Sequence, residues 1–243
     1  MRIDYPAHAQ IPQLRSLWQE AFGDEDAFLD LFFGTAFDCR RSRCIVEEEN
    51  AVAALYWFDC QWKDRKYAYL YAVATRKDYR GRGLCRLLME DTAACLAAEG
   101  YDGALLVPAD EGLLRMYGSM GYGACTTIRE FSCEKGSVPA KLRAVGPEEY
   151  ARLRRQYLPE TGVIQEGPAL ELLAAQGCLY SGEDFLYATE GELLGNVDAA
   201  PGILAALGKE QGSFRVPGED RPFAMYYPVT SGPAPGYFGL ALD

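Results

Sequence analysis

The sequence predicts an α/β protein in which a mixed central sheet is flanked by helices, followed by a second, smaller and incomplete α/β unit. Three observations carry this prediction. Short apolar runs with strand composition alternate with segments whose apolar residues recur at helical spacing. A loop rich in glycine and arginine, residues 80–83, separates a run typical of a strand from one typical of a helix. The opening strand and helix pattern returns at an offset of 139 residues.

Composition is that of an ordinary globular protein with enough apolar material for a core. Apolar residues make up 49% of the chain and charged residues 24%. The net charge of −11 disfavours nucleic acid or an anionic membrane as a partner. It favours cationic substrates weakly, because a need for solubility would explain the acidity equally well. No apolar run reaches the roughly 18 residues that span a bilayer, and residues 1–13 lack the apolar stretch of a signal peptide. We therefore expect a cytoplasmic protein.

The cysteines and the single histidine do not form a metal-binding pattern. The eight cysteines include no C-x-x-C pair, and the only histidine is His8. A zinc site is therefore not expected, and we predict no metal. We expect the cysteines to be small buried apolar residues in a reducing compartment.

The first strands and helices are predicted from the spacing of apolar residues. A short strand precedes a helix that carries Ile11, Leu14 and Trp18 on one side, and residues 24–38 continue helically. Two apolar runs then flank the polar turn at 48–50, which indicates a hairpin. Residues 66–75, KYAYLYAVAT, are rich in aromatic and small apolar side chains, and they predict a central strand.

A helix, a strand, a second helix and a last strand are predicted after the loop. Residues 84–98 predict a helix that ends at Gly100. We expect one face of it to be apolar through Leu84, Leu87, Leu88, Ala94, Cys95 and Ala98. A short buried strand lies in GALLVP, residues 103–108, and Asp110 can cap a helix that carries Tyr117. The strand in TTIREFSCE, residues 126–134, is predicted to complete this unit.

The tail repeats the opening pattern without its loop. Leu142, Tyr150, Leu153 and Tyr157 occupy the places of Ile3, Ile11, Leu14 and Trp18. A hairpin pattern follows at 185–197, but no second loop of glycine and arginine does. We predict two domains, 1–138 and 139–243, the second an incomplete copy of the first. Coincidence between two ordinary amphipathic helices is the alternative.

The segment DYRGRGLCRLLME, residues 78–90, predicts an anion site at a helix N-terminus. The first turn of a helix presents unpaired N–H groups and a partial positive charge. Gly81 and Gly83 allow the backbone to approach an anion closely, and Arg80, Arg82 and Arg86 add charge-assisted donors. The spacing fits neither the P-loop nor the dinucleotide fingerprint. A solvated basic turn is the alternative interpretation.

The order of these elements and motifs resembles the GNAT N-acetyltransferases. Residues 73–89, VATRKDYRGRGLCRLLM, resemble their acetyl-coenzyme A motif R/Q-x-x-G-x-G/A, which runs here from Arg80 to Cys85. Cys85 departs from the usual final glycine or alanine. This departure and MYGSMGYG, residues 116–123, are similar to the enhanced-intracellular-survival branch. The resemblance covers residues 1–135 well. It covers the tail only as a shortened second GNAT-like domain.

The resemblance implies a donor, a reaction and site residues. It implies transfer of an acetyl group from acetyl-coenzyme A, by direct attack, to a primary amine of a small-molecule or peptide acceptor. Val73 and Thr75 take the place of strand residues whose backbone pairs with the pantetheine arm, and Tyr117 that of the acid near the thioester sulfur. The implied cofactor-binding residues are Val73, Ala74, Thr75, Arg80, Gly81, Arg82, Gly83, Leu84, Cys85 and Arg86.

The general base is not identified by any motif. The strand 66–75 carries no carboxylate or histidine, although Tyr69 falls where some relatives place a base. The resembled branch is thought to use its C-terminal carboxylate, which makes Asp243 the candidate, with catalysis as its expected role. A residue that ends a strand in solvent is the alternative. A water relay to another carboxylate is also open.

Two other functions stay open at this stage. A GNAT-like module could bind coenzyme A, or nothing, without catalysis; Cys85 and the missing base favour it, whereas Tyr117 and the intact loop oppose it. Transfer of a different acyl group by a tandem GNAT, as in mycothiol-synthase-like or aminoacyl-transferring relatives, is a third reading. We expect an amine-bearing substrate as partner, neither nucleic acid nor membrane, and a homo-oligomer is compatible with the sequence.

Overall fold

A computed structural model describes residues 1–230 and 232–242. Within these residues, strands form sheets of eight, four and three members. The described chain contains seven α-helices. They are α1 Ile11–Phe22, α2 Asp26–Thr35, α3 Leu84–Ala98, α4 Glu111–Gly118, α5 Pro147–Tyr157, α6 Pro168–Ala175 and α7 Ala200–Leu207. Among these helices none has both the length and the apolar character needed to cross a membrane.

The strands alternate with these helices as the apolar runs predicted. In the first half they are β1 Arg2–Asp4, β2 Ser42–Glu47, β3 Asn50–Trp62, β4 Arg65–Thr75, β5 Gly103–Leu106, β6 Gly123–Ala124 and β7 Thr127–Glu134. In the second half they are β8 Arg143–Ala144, β9 Ile164–Gln165, β10 Leu179–Ser181, β11 Phe185–Ala188, β12 Leu193–Gly195, β13 Gln211–Pro217, β14 Arg221–Pro222 and β15 Met225–Pro228.

The largest sheet is mixed. Its strand order is β1-β2-β3-β4-β5-β15-β6, and β9 pairs with β3. The β4–β5 pair is parallel, whereas the other pairs are antiparallel. The predicted hairpin joins β2 to β3, and its turn places Glu48 and Glu49 at φ 48° and 68°. The fold class predicted from the sequence is confirmed: a mixed sheet flanked by helices.

Both faces of this sheet are buried, and β4 shows why. Tyr67 and Tyr69 point into the core that α1 and α2 share, while Ala68 and Leu70 point into the core formed with α3 and α4. Successive side chains of a strand alternate between the two faces. A strand buried on both faces has no polar side, and this accounts for the continuous apolar run at 67–74.

The buried face of α3 differs from the prediction. Leu84, Leu88, Thr92 and Leu96, four residues apart, are buried together with Met89. Their spacing keeps them on one stripe of the helix. Leu87, Ala94 and Ala98 were predicted on this face, but they are exposed, because they share a neighbouring stripe that faces solvent.

Strands of the tail, residues 139–243, pair with strands of the first half in two sheets. β15 lies between β5 and β6 in the largest sheet. β7, which was expected to complete the first unit, pairs instead with β13 and β14 of the tail, and Phe131 stacks on Phe214 at 5.6 Å. Strand pairings therefore cross residue 138, and the predicted division into 1–138 and 139–243 stays a prediction.

The four-stranded sheet has the connectivity expected of an incomplete repeat. Its order is β8-β10-β11-β12, with α5 and α6 between β8 and β10 in the chain. The first sheet begins in the same way, as β1-β2-β3-β4, with α1 and α2 between its first two strands. Multiple sheets of this kind fit a two-domain arrangement. The segment between β12 and α7 contains no arginine, so the anion loop is not repeated.

Candidate active site

The central feature of the site is a split between two parallel strands. β5 pairs with β4 only at Tyr67, Ala68 and Tyr69, whereas β4 continues to Thr75. The register between β3 and β4 shifts near Ala72, which has φ 49°, a bulge that bends a strand. One edge of β4 from Ala72 to Thr75 therefore has no strand partner within the described chain. Such an edge can pair with an extended amide-bearing ligand.

A cleft of about 1000 Å³ opens at this split. β4 contributes residues 69–73, the chain from the end of β5 to the start of α4 contributes residues 106–111, and α4 also contributes Tyr117. The α1–α2 connection contributes Asp24 and Glu25. The cleft thus runs through the sheet, with the α3 and α4 core on one side and the α1 and α2 core on the other.

The connection from β4 to α3 is fixed by a carboxylate of α1. Glu20 accepts hydrogen bonds from the Lys77 backbone N–H at 2.6 Å and from Arg76 Nη1 at 3.1 Å. The Lys77 bond is the main cause that lowers the pKa of Glu20. Arg76 Nε also donates to the Ala51 carbonyl at 2.9 Å, on β3. These contacts hold the start of the loop against the sheet.

The loop itself forms an open cradle at the N-terminus of α3. Gly81 and Gly83 both have φ +76°, a left-handed conformation that side chains disfavour. Gly83 is the N-cap residue, and a glycine has no side chain with which to cap the helix. A Cβ added to either glycine would meet no atom within 4 Å, so there is room for a ligand against the backbone. The uncapped N–H groups of the first turn fit a phosphate.

Two arginines of the loop carry positive charge that no described carboxylate neutralises. Arg80 Nε donates to the Thr75 carbonyl at 3.0 Å, and Arg82 Nη2 donates to the Asp78 carbonyl at 2.8 Å. The Arg82 guanidinium also lies 4.6 Å from the centre of the Tyr79 ring. Both side chains are exposed, and neither forms a salt bridge within the described residues. The cradle therefore fits an anionic group such as a phosphate.

Arg86 has a structural contact that the sequence did not reveal. Its Nη1 and Nη2 donate to the carbonyl and the Oγ of Ser119, at 3.2 and 3.0 Å. Ser119 directly follows α4, the helix of Tyr117. Arg86 thus ties the first turn of α3 to the end of α4. Its predicted contact with phosphate stays a prediction.

Tyr117 combines burial with access to the cleft. Its side chain is 6% exposed, lines the cleft, and forms no hydrogen bond with a described residue. Burial raises the pKa of the phenol, and a smaller contribution from Cys85 acts in the same direction. A raised pKa keeps the phenol protonated at neutral pH, so its chemistry suits donating a proton rather than accepting one.

Cys85 lies beside Tyr117 and is not activated. Burial raises the pKa of its thiol, and Arg86 offsets this only in part. The thiolate is the nucleophilic form of cysteine, so Cys85 is unsuited to form a covalent intermediate at neutral pH.

The end of the chain reaches the cleft. Residues 237–242 are buried, Phe238 packs on Tyr69 at 4.8 Å, and the Leu242 N–H donates to the Tyr69 hydroxyl at 3.2 Å. Asp243, the predicted terminal base, lies outside the described residues, and its role stays a prediction.

Sequence reasoning missed the contribution of the tail to the cleft. Gln176, Arg221, Pro222, Phe223 and Leu242 all line it. They belong to no motif, since long-range pairings bring them there: β14 pairs with β7, and the Phe223 N–H donates to the Thr126 carbonyl at 2.9 Å. Only knowledge of that pairing could have placed them.

Other titratable residues are distributed without a metal-binding cluster. In the part of the chain that the structure describes, no group of three or more histidine, cysteine, aspartate or glutamate side chains is placed to hold a metal ion. All eight cysteines are free thiols. His8 lies in an exposed 3₁₀ turn at His8–Gln10.

Comparison with known proteins agrees with this geometry. A family profile described as an acetyltransferase (GNAT) domain matches residues 2–125. GCN5-related N-acetyltransferases from Kribbella flavida and Anabaena variabilis are similar in structure, with TM-scores of 0.65 and 0.68 at 16% and 14% identity. Eis1 from Mycobacterium abscessus has a TM-score of 0.61 at 11% identity. Each comparison covers 94% of this chain and 72%, 73% and 74% of the other chains, respectively. No curated protein is significantly similar in sequence.

Proposed function

Since the chain belongs to the GNAT acetyltransferase family, whose acyl donor is acetyl-coenzyme A, we propose that it acetylates a primary amine of a small-molecule or peptide acceptor. The observation that carries the proposal is the unpaired edge of β4. The phosphate cradle follows the Thr75 end of this edge, and the edge leads into the cleft that Tyr117 lines. An extended pantetheine arm requires this order of parts: anion site, strand edge, then acid.

The residues of the chain divide the work of binding. The backbone of Val73 to Thr75 pairs with the amides of the arm, and the first-turn N–H groups of α3 bind phosphate together with Arg80 and Arg82. Each charge-assisted contact contributes roughly 1.5–3 kcal/mol. When bound, the thioester supplies the acetyl group and a thiolate leaving group. The bend at Ala72 directs the β4 edge away from β5 and so makes room for the pantetheine arm.

Tyr117 supplies the proton that the departing sulfur needs. The amine nitrogen forms its bond to the acetyl carbon, the carbon–sulfur bond breaks, and the phenol protonates the sulfur. The nitrogen loses its proton to water in the cleft, and the Tyr117 phenolate takes a proton back from solvent. Cys85, whose thiol stays protonated, takes no part in bond making. A cytoplasmic location belongs to the same proposal and is supported by the eight free thiols.

The test is turnover with acetyl-coenzyme A against a panel of amines. Thiol release is followed by a colour reagent, and the acetylated amine is identified by mass spectrometry. We expect thiol and acetylated amine to appear in equal amounts. Coenzyme A binding with no acetylated product from any amine would contradict the proposal and would favour a non-catalytic module.

A further inference from the structure

The cleft has two chemically different halves because it crosses the sheet. Leu70, Val73 and Tyr117 belong to the α3 side, where the cofactor cradle lies. Tyr69 and Tyr71, alternate residues of β4, belong to the α1 side. The second half is the space left for the acceptor. We call it the acceptor chamber, and its described lining residues on this side are Trp18, Phe22, Asp24, Glu25, Phe28 and Phe223, besides the two tyrosines.

The acceptor chamber is walled by aromatic rings. Trp18 packs between Phe28 at 6.1 Å and Tyr71 at 5.5 Å, and Phe22 lies 5.7 Å from Trp18. Phe22 is nevertheless 48% exposed, although it is a large apolar side chain at a cleft. Across the cleft, Leu114 of α4 is 41% exposed. Exposed apolar side chains that line a cleft are typical of a ligand site.

The charge around the chamber favours a cation. Among the described residues, the carboxylates of Asp24 and Glu25 line the chamber side of the cleft against the guanidinium of Arg221. On the α4 side, Asp110 accepts the Leu113 N–H and Glu111 pairs with Arg115. The Arg221 charge is already engaged, because its Nε and Nη2 donate to Glu130 Oε2 at 3.0 and 2.5 Å.

Asp24 is the carboxylate that the structure holds in place. Its Oδ2 accepts a hydrogen bond from Trp18 Nε1 at 2.6 Å, and it forms no salt bridge within the described chain. Trp18 therefore orients a negative charge at the edge of an aromatic wall. Ring faces also attract ammonium groups, so both features act in the same direction.

We propose that the acceptor is a primary amine carried on an aromatic or bulky apolar body. Phe22 is the specificity residue for that body, and Asp24 attracts the ammonium form. This inference rests on the proposed acetyl transfer and adds the substrate class. A linear polyamine would bury its methylenes less well and leave a second ammonium near the apolar wall. The tail supplies Phe223 and Leu242, so acceptor choice depends on the second half of the chain.

The experiment measures amine binding apart from turnover. The protein is saturated with coenzyme A, which leaves the acetyl group out, and calorimetry then titrates 2-phenylethylamine and 1,4-diaminobutane. We expect the aryl amine to bind at least tenfold more tightly. Phe22→Ala is expected to weaken it roughly five- to tenfold, the effect of losing part of a buried phenyl contact. Leu114→Ala, on the opposite wall, is expected to weaken it two- to fivefold. Asp24→Asn keeps an oxygen that can accept the Trp18 hydrogen bond but removes the negative charge, and it is expected to weaken the binding of both amines.

The control is Val138→Ala, an exposed apolar residue that does not line the cleft. It is expected to leave both affinities unchanged. Two results would contradict the assignment of this acceptor class. One is equal or tighter binding of the diamine, and the other is unchanged affinity for the aryl amine in both Phe22→Ala and Leu114→Ala. Acetyl transfer to the diamine in that case would leave the proposed function standing. Tight, Phe22-dependent binding without acetylated product would support the chamber and refute the transfer.

Discussion

Single residues decide whether the loop is an anion site. Arg80→Ala together with Arg82→Ala is expected to weaken coenzyme A binding by at least tenfold, since each guanidinium contributes a charge-assisted contact to phosphate. Calorimetry measures the change. Arg152→Ala serves as the control, because Arg152 is an exposed arginine of α5 outside the cleft. Unchanged affinity in the double variant would show that the loop is only a solvated basic turn.

Tyr117 gives a second prediction at this scale. Tyr117→Phe is expected to leave coenzyme A affinity unchanged and to lower kcat by roughly 10²–10⁴, the usual cost of losing a general acid. Kinetics with saturating acetyl-coenzyme A measure it. A fully active variant would show that Tyr117 only packs in the core and does not act as the acid.

The pH dependence of the rate, measured for the wild type and for Tyr117→Phe, checks whether the phenol stays protonated. Burial raises the pKa of Tyr117 above the usual value near ~10, so its proton stays in place as pH rises through the neutral and mildly alkaline range. The wild-type rate is therefore expected to climb from pH 6 to about pH 9, as more of the acceptor amine loses its proton. An alkaline fall below pH 9 that disappears in Tyr117→Phe would contradict this assignment.

At the scale of elements, the second half is organised around a buried ion pair. Arg154 of α5 meets Glu192, next to β12, at 2.7 Å, and the two side chains are 1% and 0% exposed. Tyr237 donates to Glu192 at 3.1 Å, and Arg154 Nη1 donates to the Val163 carbonyl at 2.8 Å. The pair therefore joins a helix, a strand and the segment that leads to the cleft.

Breaking this pair is expected to destabilise the protein strongly. Arg154→Ala leaves a buried carboxylate without its partner, which costs about 3–5 kcal/mol. Arg155→Ala is the matched control: its pair with Glu166 is 46% and 41% exposed, and it is expected to cost at most about 1 kcal/mol. Urea unfolding measures both. Similar losses in the two variants would contradict the role given to the buried pair.

The elements of the first half could be predicted because their signals are local. The Asp110 cap, the turn at 48–50 and the apolar run of β4 each depend on neighbours in sequence, and each is present in the structure. The place of β7 could not be predicted, since its partners lie about 80 residues away. The prediction of the buried face of α3 was partly wrong for another reason. Two adjacent stripes of this helix are apolar, and only packing decides which of them is buried.

For the whole molecule, the tail is expected to be indispensable. A fragment of residues 1–138 lacks β15, which lies between β5 and β6, and lacks the Phe223 and Leu242 walls of the cleft. We expect it to be insoluble or largely unfolded. The control is the full chain cut at a protease site introduced at 137–139; its two pieces are expected to stay associated and active. A soluble, active 1–138 fragment would show an independent first domain.

The candidate site shows the same division between local and long-range information. The segment from Arg80 to Arg86 could be found from seven consecutive residues and a helix start. The acceptor chamber could not, since α1, α2, β4 and the tail meet only in the folded molecule. Residues that bind a common donor share a motif, whereas those that select an acceptor follow from the three-dimensional packing.

The central claim is that coenzyme A pairs with the free edge of β4 and rests on the first turn of α3. Hydrogen–deuterium exchange with and without coenzyme A tests it most directly, because it reports on backbone amides. We expect slower exchange at 72–76 and at 81–87, with little change in β8 to β12. Protection confined to other segments, or none at saturating coenzyme A, would contradict the claim.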